Sequence, residues 1–99
     1  MATYSASQAK TITCVAAQVD TITLTGNGTA LHFSQNSSTP IYFTVGQPGS
    51  TPATPTVAGD NCYVIMNGNN SDNFPWTGNG IVIKLITAGT GLVNFALHG

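Results

Sequence analysis

Apolar and polar residues alternate along this chain with a period of two, in short runs bounded by Gly, Pro, Asn and Asp. That period belongs to strands with one buried face. Residues 11–16 place Ile12, Cys14 and Ala16 on one side, and residues 21–25 place Ile22 and Leu24 on one side with threonines on the other. Residues 17–20 supply a turn between them, so the two matching TIT segments read as arms of a hairpin. A turn at Gly26-Asn27-Gly28 follows, because Asn and Gly tolerate positive φ. The next strand, residues 29–34, puts Leu31 and Phe33 inward and His32 outward. Residues 41–45 turn Ile41, Phe43 and Val45 inward, and residues 62–66 do the same with Cys62, Val64 and Met66. Residues 81–86 are almost continuously apolar, which implies burial on both faces or a covered edge. Residues 92–97 form the last strand.

No stretch has a helical period beyond a single turn at residues 5–9. The pattern therefore predicts one all-β domain over residues 1–99, a small β-sandwich or barrel of about seven short, mainly antiparallel strands. Three segments fall outside its strands: an N-terminal arm (residues 1–9), a Pro-rich loop (46–59) and an Asn/Gly-rich loop (67–80). In the Pro-rich loop, Pro48, Pro52 and Pro55 fix φ and remove backbone donors, so it is neither a central strand nor a helix. The Asn/Gly-rich loop holds Phe74-Pro75-Trp76. Such a cluster either plugs the end of the domain, anchors a partner or offers Trp76, with Asp72 and Asn73, to a sugar ring.

Charge changes the picture by exclusion. The chain has two Lys and Arg side chains in total and three Asp and Glu, for a formal net charge of −1. Lys10 and Lys84 cannot neutralise many phosphates, which excludes nucleic-acid binding through the backbone. No basic amphipathic stretch exists to hold a membrane surface, and the N-terminal residues lack the basic start and apolar core of a signal peptide. Disorder is excluded as well, since 41% of residues are hydrophobic and fall in strand-length groups.

Candidate chemistry is sparse. His32 and His98 are the only side chains with an ordinary proton affinity near neutral pH, and neither sits in a nucleophile motif. Asp20, Asp60 and Asp72 lie beside turn-forming residues, where Asp bonds its own backbone. Asn67, Asn69, Asn70, Asp72 and Asn73 offer oxygens with a single charge and no EF-hand order. Cys14 and Cys62 fall in phase with apolar neighbours and read as unpaired core thiols. The residues thus assign no catalytic, cofactor or metal site, and the chain reads as a non-enzyme.

The segments Lys10 to Thr13 (KTIT), Asp20 to Thr25 (DTITLT), Ile41 to Val45 (IYFTV), Pro55 to Asn61 (PTVAGDN) and Ile81 to Ile86 (IVIKLI) together resemble a small β-domain of tailed-phage virion proteins, especially phages of actinobacteria. The resemblance covers most of the chain and departs from the pattern at GQPGSTPAT and at NGNNSDNFPWTGNG. It implies a structural virion protein, made in the host cytoplasm and carried on the virion. The role implied is a capsid decoration protein that binds the major capsid protein and associates with itself, as a trimer for preference. A phage tail or host-attachment module that binds glycans is the alternative. The expected contact residues are Pro48, Pro52, Pro55, Phe74, Pro75 and Trp76.

One consequence tests the core assignment. Ile83→Asp buries an unpaired charge in the most apolar strand, so the variant is expected to lose cooperative thermal unfolding and soluble expression. A soluble, cooperatively melting Ile83→Asp protein would remove Ile83 from the core.

Overall fold

The computed structural model describes residues 2–36, 39–66 and 71–98. Its seven strands are β1 (Ala2–Ala6), β2 (Ala9–Cys14), β3 (Asp20–Gln35), β4 (Ile41–Gly46), β5 (Tyr63–Ile65), β6 (Ser71–Thr87) and β7 (Gly91–His98). Among the described residues there is no helix. The all-β expectation holds, with one difference of proportion: β3 and β6 are 16 and 17 residues long.

These two long strands pair antiparallel along their whole length, from Asp20 opposite Leu85 to Ser34 opposite Ser71. The resulting ribbon belongs to two half-sheets. In the first, the C-terminal half of β3 pairs with β7, and β7 pairs with β2. In the second, the N-terminal half of β3 pairs in parallel with β1, while the C-terminal half of β6 pairs with β4, and β4 with β5. The sheet curls so that the inner faces of the two halves meet.

The place where the ribbon changes hands is written in the burial pattern. Asp20, Ile22 and Leu24 point inward at even positions, whereas Leu31, Phe33 and Gln35 point inward at odd ones. Side chains alternate strictly along a strand, so one extra residue flips every later one to the other face. Register shifts between Leu24 and Asn27, and between Gly28 and Ala30, provide the irregularity. Gly26-Asn27-Gly28 is therefore a bulged bend inside one strand, where the sequence predicted a turn between two strands. None of the three residues takes a positive φ, and pairing with β6 carries the strand on through them.

Backbone approaches fix the glycines at this bend. A Cβ on Gly28 would lie 2.9 Å from both the amide nitrogen and the carbonyl oxygen of His98. On β6, Gly80 has φ +90° and a Cβ there would lie 2.5 Å from the Leu24 carbonyl oxygen.

The core fills the space between the halves. Ile12, Cys14, Leu31, Phe33, Val93, Phe95 and Leu97 come from the first half-sheet, and Ile22, Leu24, Ile41, Phe43, Ile65, Ile81, Ile83 and Leu85 from the second. Phe43 joins them: its ring meets Phe33 and Phe95 edge-on, each at 5.3 Å between centroids. Burying one such ring contributes about 1.5–3 kcal/mol, and edge-to-face contacts add roughly 0.5–1.5 kcal/mol.

Two glutamines stitch the remaining seams. At the corner between β1 and β2, the Gln8 side-chain amide donates to the carbonyls of Asn27 and Leu97, both at 3.1 Å. Across the other opening, the Gln35 amide donates to the carbonyls of Thr39, Ile65 and Met66 at 3.1, 3.0 and 2.8 Å. Buried Gln35 thereby ties the end of β3 to the far edge strand β5.

Four further expectations change. The N-terminal arm (residues 1–9) is mostly strand: β1 lies beside β3, and Ser7-Gln8 bends the chain into β2. The TIT segments are not a hairpin, because β2 pairs with β7. The 67–80 loop is strand from Ser71 onward, while residues 67–70 lie outside the described residues. In the 62–66 run the inward residue is Ile65, 1% exposed, whereas Val64 and Met66 face solvent. A run in which every residue is apolar carries no phase of its own.

Gly80→Ala is expected to destabilise the domain by about 1–3 kcal/mol, since Ala combines a positive φ with a backbone overlap there. Gly49, with φ +86° and open space around its Cβ position, is the control: Gly49→Ala carries only the φ cost, about 1 kcal/mol. Equal urea midpoints for the two variants would mean that the approach of Gly80 to Leu24 is not tight.

Candidate contact surface

The Pro-rich segment leaves β4 at Gly46 and turns at once. Ser50 donates its amide to the Gln47 carbonyl at 3.0 Å, with Pro48 second in the turn and Gly49 third at φ +86°. This is a type II turn, in which Pro sets the second position and Gly the third. The segment then folds back over the sheet. The buried Thr44 hydroxyl donates to the Ala53 carbonyl, and both Pro52 and Pro55 are buried. A second turn closes with the Gly59 amide donating to Thr56 carbonyl at 2.9 Å.

These facts correct the expected contact list. Pro52 and Pro55 are packed inside their own domain, and only Pro48 of the three prolines is exposed. Proline stiffness here serves to lay the loop down on β4, with Thr44 as its anchor.

Phe74-Pro75-Trp76 is a strand segment. Phe74 stands opposite Leu31 and Pro75 opposite Ala30; the Phe74 side chain lies outside the described residues. This half of β6 pairs with β3 on one side, and β4 pairs only with its later half, from Val82 on. Pro75 thus sits on an edge, where a missing N–H is tolerated and discourages pairing with another strand. Trp76 is half-buried, packs against the core and donates its indole N–H to the Gly80 carbonyl at 2.9 Å.

The two segments meet at Gly78 and Gly80 of β6. A Cβ on Gly80 would lie 3.2 Å from Pro48 Cγ, and one on Gly78 would lie 3.2 Å from Gln47 Oε1. The turn of the Pro-rich loop therefore rests on the same glycine pair that receives the Trp76 indole. Pro48 and the Trp76 indole thus share one neighbourhood, although 28 residues separate them in sequence.

Two apolar side chains are exposed where sequence reading placed them inside: Val64 and Met66, on or next to β5, are 43 and 54% exposed, and Tyr63 beside them is 52% exposed. A two-residue period counted from Ile65 rather than from Cys62 puts Val64 and Met66 outside, but it would turn Tyr63 inward.

The chemistry-bearing residues are scattered. Asp20 is not a turn residue: it opens β3 with its side chain buried, and its Oδ1 accepts from Gln18 Nε2 at 2.7 Å and from the Ala2 amide at 3.2 Å. Asp60 lies in an exposed turn. Asn67, Asn69 and Asn70 lie outside the described residues, as do the side chains of Asp72 and Asn73. Lys10 extends its amine over the Tyr4 ring at 5.7 Å from the centroid. His32 and His98 come together, with ring centroids 6.0 Å apart. Among the described residues no three His, Cys, Asp or Glu side chains form a metal-sized group.

Both cysteines are unpaired, yet they differ. Cys14 is in the core, and burial first, then the nearby Asp20 carboxylate, push its thiol up to about 11. Cys62 is only half-buried and donates its thiol to the Asp60 carbonyl at 3.4 Å, so the expectation of two core thiols holds for Cys14 alone.

The Cys14 shift has a pH consequence. An unfolded thiol ionises near 9.0, whereas the folded one keeps its proton until about 11. The unfolded state sheds that proton first, so the contribution is intact below pH 9 and is lost as pH climbs toward 11. Relative to Cys14→Val, the parent protein should lose on the order of 2 kcal/mol across that window. Parallel stability–pH curves for the two proteins would show that Cys14 ionises normally.

No family model matches the chain, and no curated protein and no solved structure matches it either.

Proposed function

We propose that this domain is a structural accessory protein of a virion, a capsid decoration protein that binds the major capsid protein. The observation that supports it most is the convergence of Pro48 and the Trp76 indole on Gly80. The two segments that set this chain apart from the phage-like β pattern build one surface. That surface is stiff before any partner arrives, because a proline turn and a bonded indole hold it. Binding through stiff elements loses little conformational entropy.

The near absence of charge suits the same role. With five charged side chains in the whole chain, the exterior neither repels copies of itself nor depends on ion pairs that salt would screen. A single small domain offers limited area, so several copies joined in a closed ring gain avidity without any strong individual contact. A cyclic trimer matches a three-fold position of an icosahedral lattice.

The glycan-binding alternative needs Trp76 to present a ring face to a sugar, and its partial burial and its bond to Gly80 weigh against it.

Purified protein mixed with capsids that lack it should occupy the lattice to saturation, with little change between low and moderate salt. Replacing exposed Pro48 and Pro75 together by Glu should reduce occupancy at least tenfold while leaving the melting temperature within a few degrees. Absence of capsid binding, occupancy that collapses with moderate salt, or full binding by the double variant overturns the proposal. A change in Trp76 fluorescence on adding host glycans would replace it with the attachment reading.

A further inference from the structure

His32 lies in the C-terminal half of β3 and His98 at the end of β7. The register sets His32 opposite Ala96 and Ala30 opposite His98, so the histidines are diagonal cross-strand neighbours two positions apart and share one face. That face is the outer one, since Leu31, Phe33 and Leu97 between them are buried inward. Their rings stand edge to face, with centroids 6.0 Å apart and planes inclined at 65°.

We propose that His32 and His98 form a two-imidazole binding site for a borderline-soft divalent cation, of the class of Cu²⁺, Ni²⁺ or Zn²⁺. Each neutral imidazole offers one nitrogen lone pair to a metal and keeps one N–H for a hydrogen bond. Metal–nitrogen bonds of about 2.0–2.1 Å hold the centroids of two imidazoles on one ion roughly 5–6 Å apart. The observed spacing of 6.0 Å lies at the upper edge of that range. Both residues sit on paired strands, which keeps the spacing in place before the ion arrives.

The ligand set also fixes what the site is not. Calcium and magnesium prefer oxygen donors and gain little from imidazole. Two nitrogens fall short of the four ligands of a closed structural zinc site, so water completes the coordination and the ion exchanges. Among these ions copper binds most tightly, following the usual order for nitrogen ligands. β7 has no Asp, Glu, Lys or Arg, and β3 has only Asp20 at its far end, so neither strand sets another charged side chain beside the pair. An ion held by both would bridge β3 to β7 and stabilise the folded chain by mass action. This inference stands independently of the virion reading.

The test is calorimetric titration of the full chain with Cu²⁺, Ni²⁺ and Zn²⁺ separately, with Mg²⁺ as the control ion. It is run on a Cys62→Ser background so that the half-buried thiol cannot supply a ligand. One ion per chain is expected, with a dissociation constant on the order of micromolar and copper tightest. His32→Gln and His98→Gln should each weaken binding at least tenfold and abolish the rise in melting temperature that the ion gives the parent. Both substitutions face outward, and their melting temperatures in chelator show whether each variant is folded; if one is not, the other carries the test. Absence of binding, loss of binding on the Cys62→Ser background, or binding unchanged by a folded histidine variant overturns the site.

Discussion

The structure depends on a change of phase within a single strand. β3 has to present Ile22 and Leu24 to the core at one end and Leu31 and Phe33 at the other, an even pair and an odd pair. Without the irregularity between Leu24 and Ala30, one of those pairs would face water, at a cost of several kcal/mol for two large apolar side chains. The bend lets one ribbon line both halves of the core. Other features follow from it. Gly26 and Gly28 let the backbones of Ser7 and His98 approach, Gln8 reaches the Asn27 carbonyl, and Phe43 meets Phe33 and Phe95 across the interior.

The inward faces were legible in the sequence wherever apolar and polar residues alternated. Ile12, Ile22, Leu24, Leu31, Phe33, Ile41 and Phe43 all carry that signature, and all are buried. The phase of residues 62–66 was not legible, because Cys-Tyr-Val-Ile-Met gives every position an equal claim to the core. Nor could local residues distinguish a turn from a bulge at Gly26-Asn27-Gly28. Glycine suits both, by freeing φ in a turn and by admitting a close backbone in a bulge, and only the partner strand decides. The same holds for residues 71–80, where turn-forming composition lies within a strand because β3 pairs with it.

The candidate surface was legible in its parts and not in its assembly. Proline and tryptophan marked the right segments, but nothing local says that Pro52 and Pro55 turn inward while Pro48 stays out. That outcome rests on Thr44, whose hydroxyl faces the outer side of β4 and holds the Ala53 carbonyl. The meeting of Pro48 with Gly80, and of His32 with His98, requires strand pairings between residues far apart in the chain. Asp20 illustrates the same limit at a smaller scale: beside Val19 and Gln18 it looks like a turn residue, yet the Ala2 amide and the Gln18 side chain make it a buried anchor for β1.

The strand order constrains how the molecule can be made. β7, the last strand, lies between β2 and the second half of β3. The second half-sheet needs nothing beyond Thr87, so it can assemble on a nascent chain as soon as that residue has left the ribosome. The first half-sheet cannot. Until residues 91–98 arrive, β2 lacks the one strand it pairs with among the described residues, half of β3 shows an open edge, and the inner faces of both are wet. Synthesis therefore passes through an interval in which Ile12, Leu31 and Phe33 lack Phe95 and Leu97 to cover them, and unpaired edges of this kind are where chains aggregate. In this topology residues 91–98 act as a key, inserted between two strands that are waiting for them.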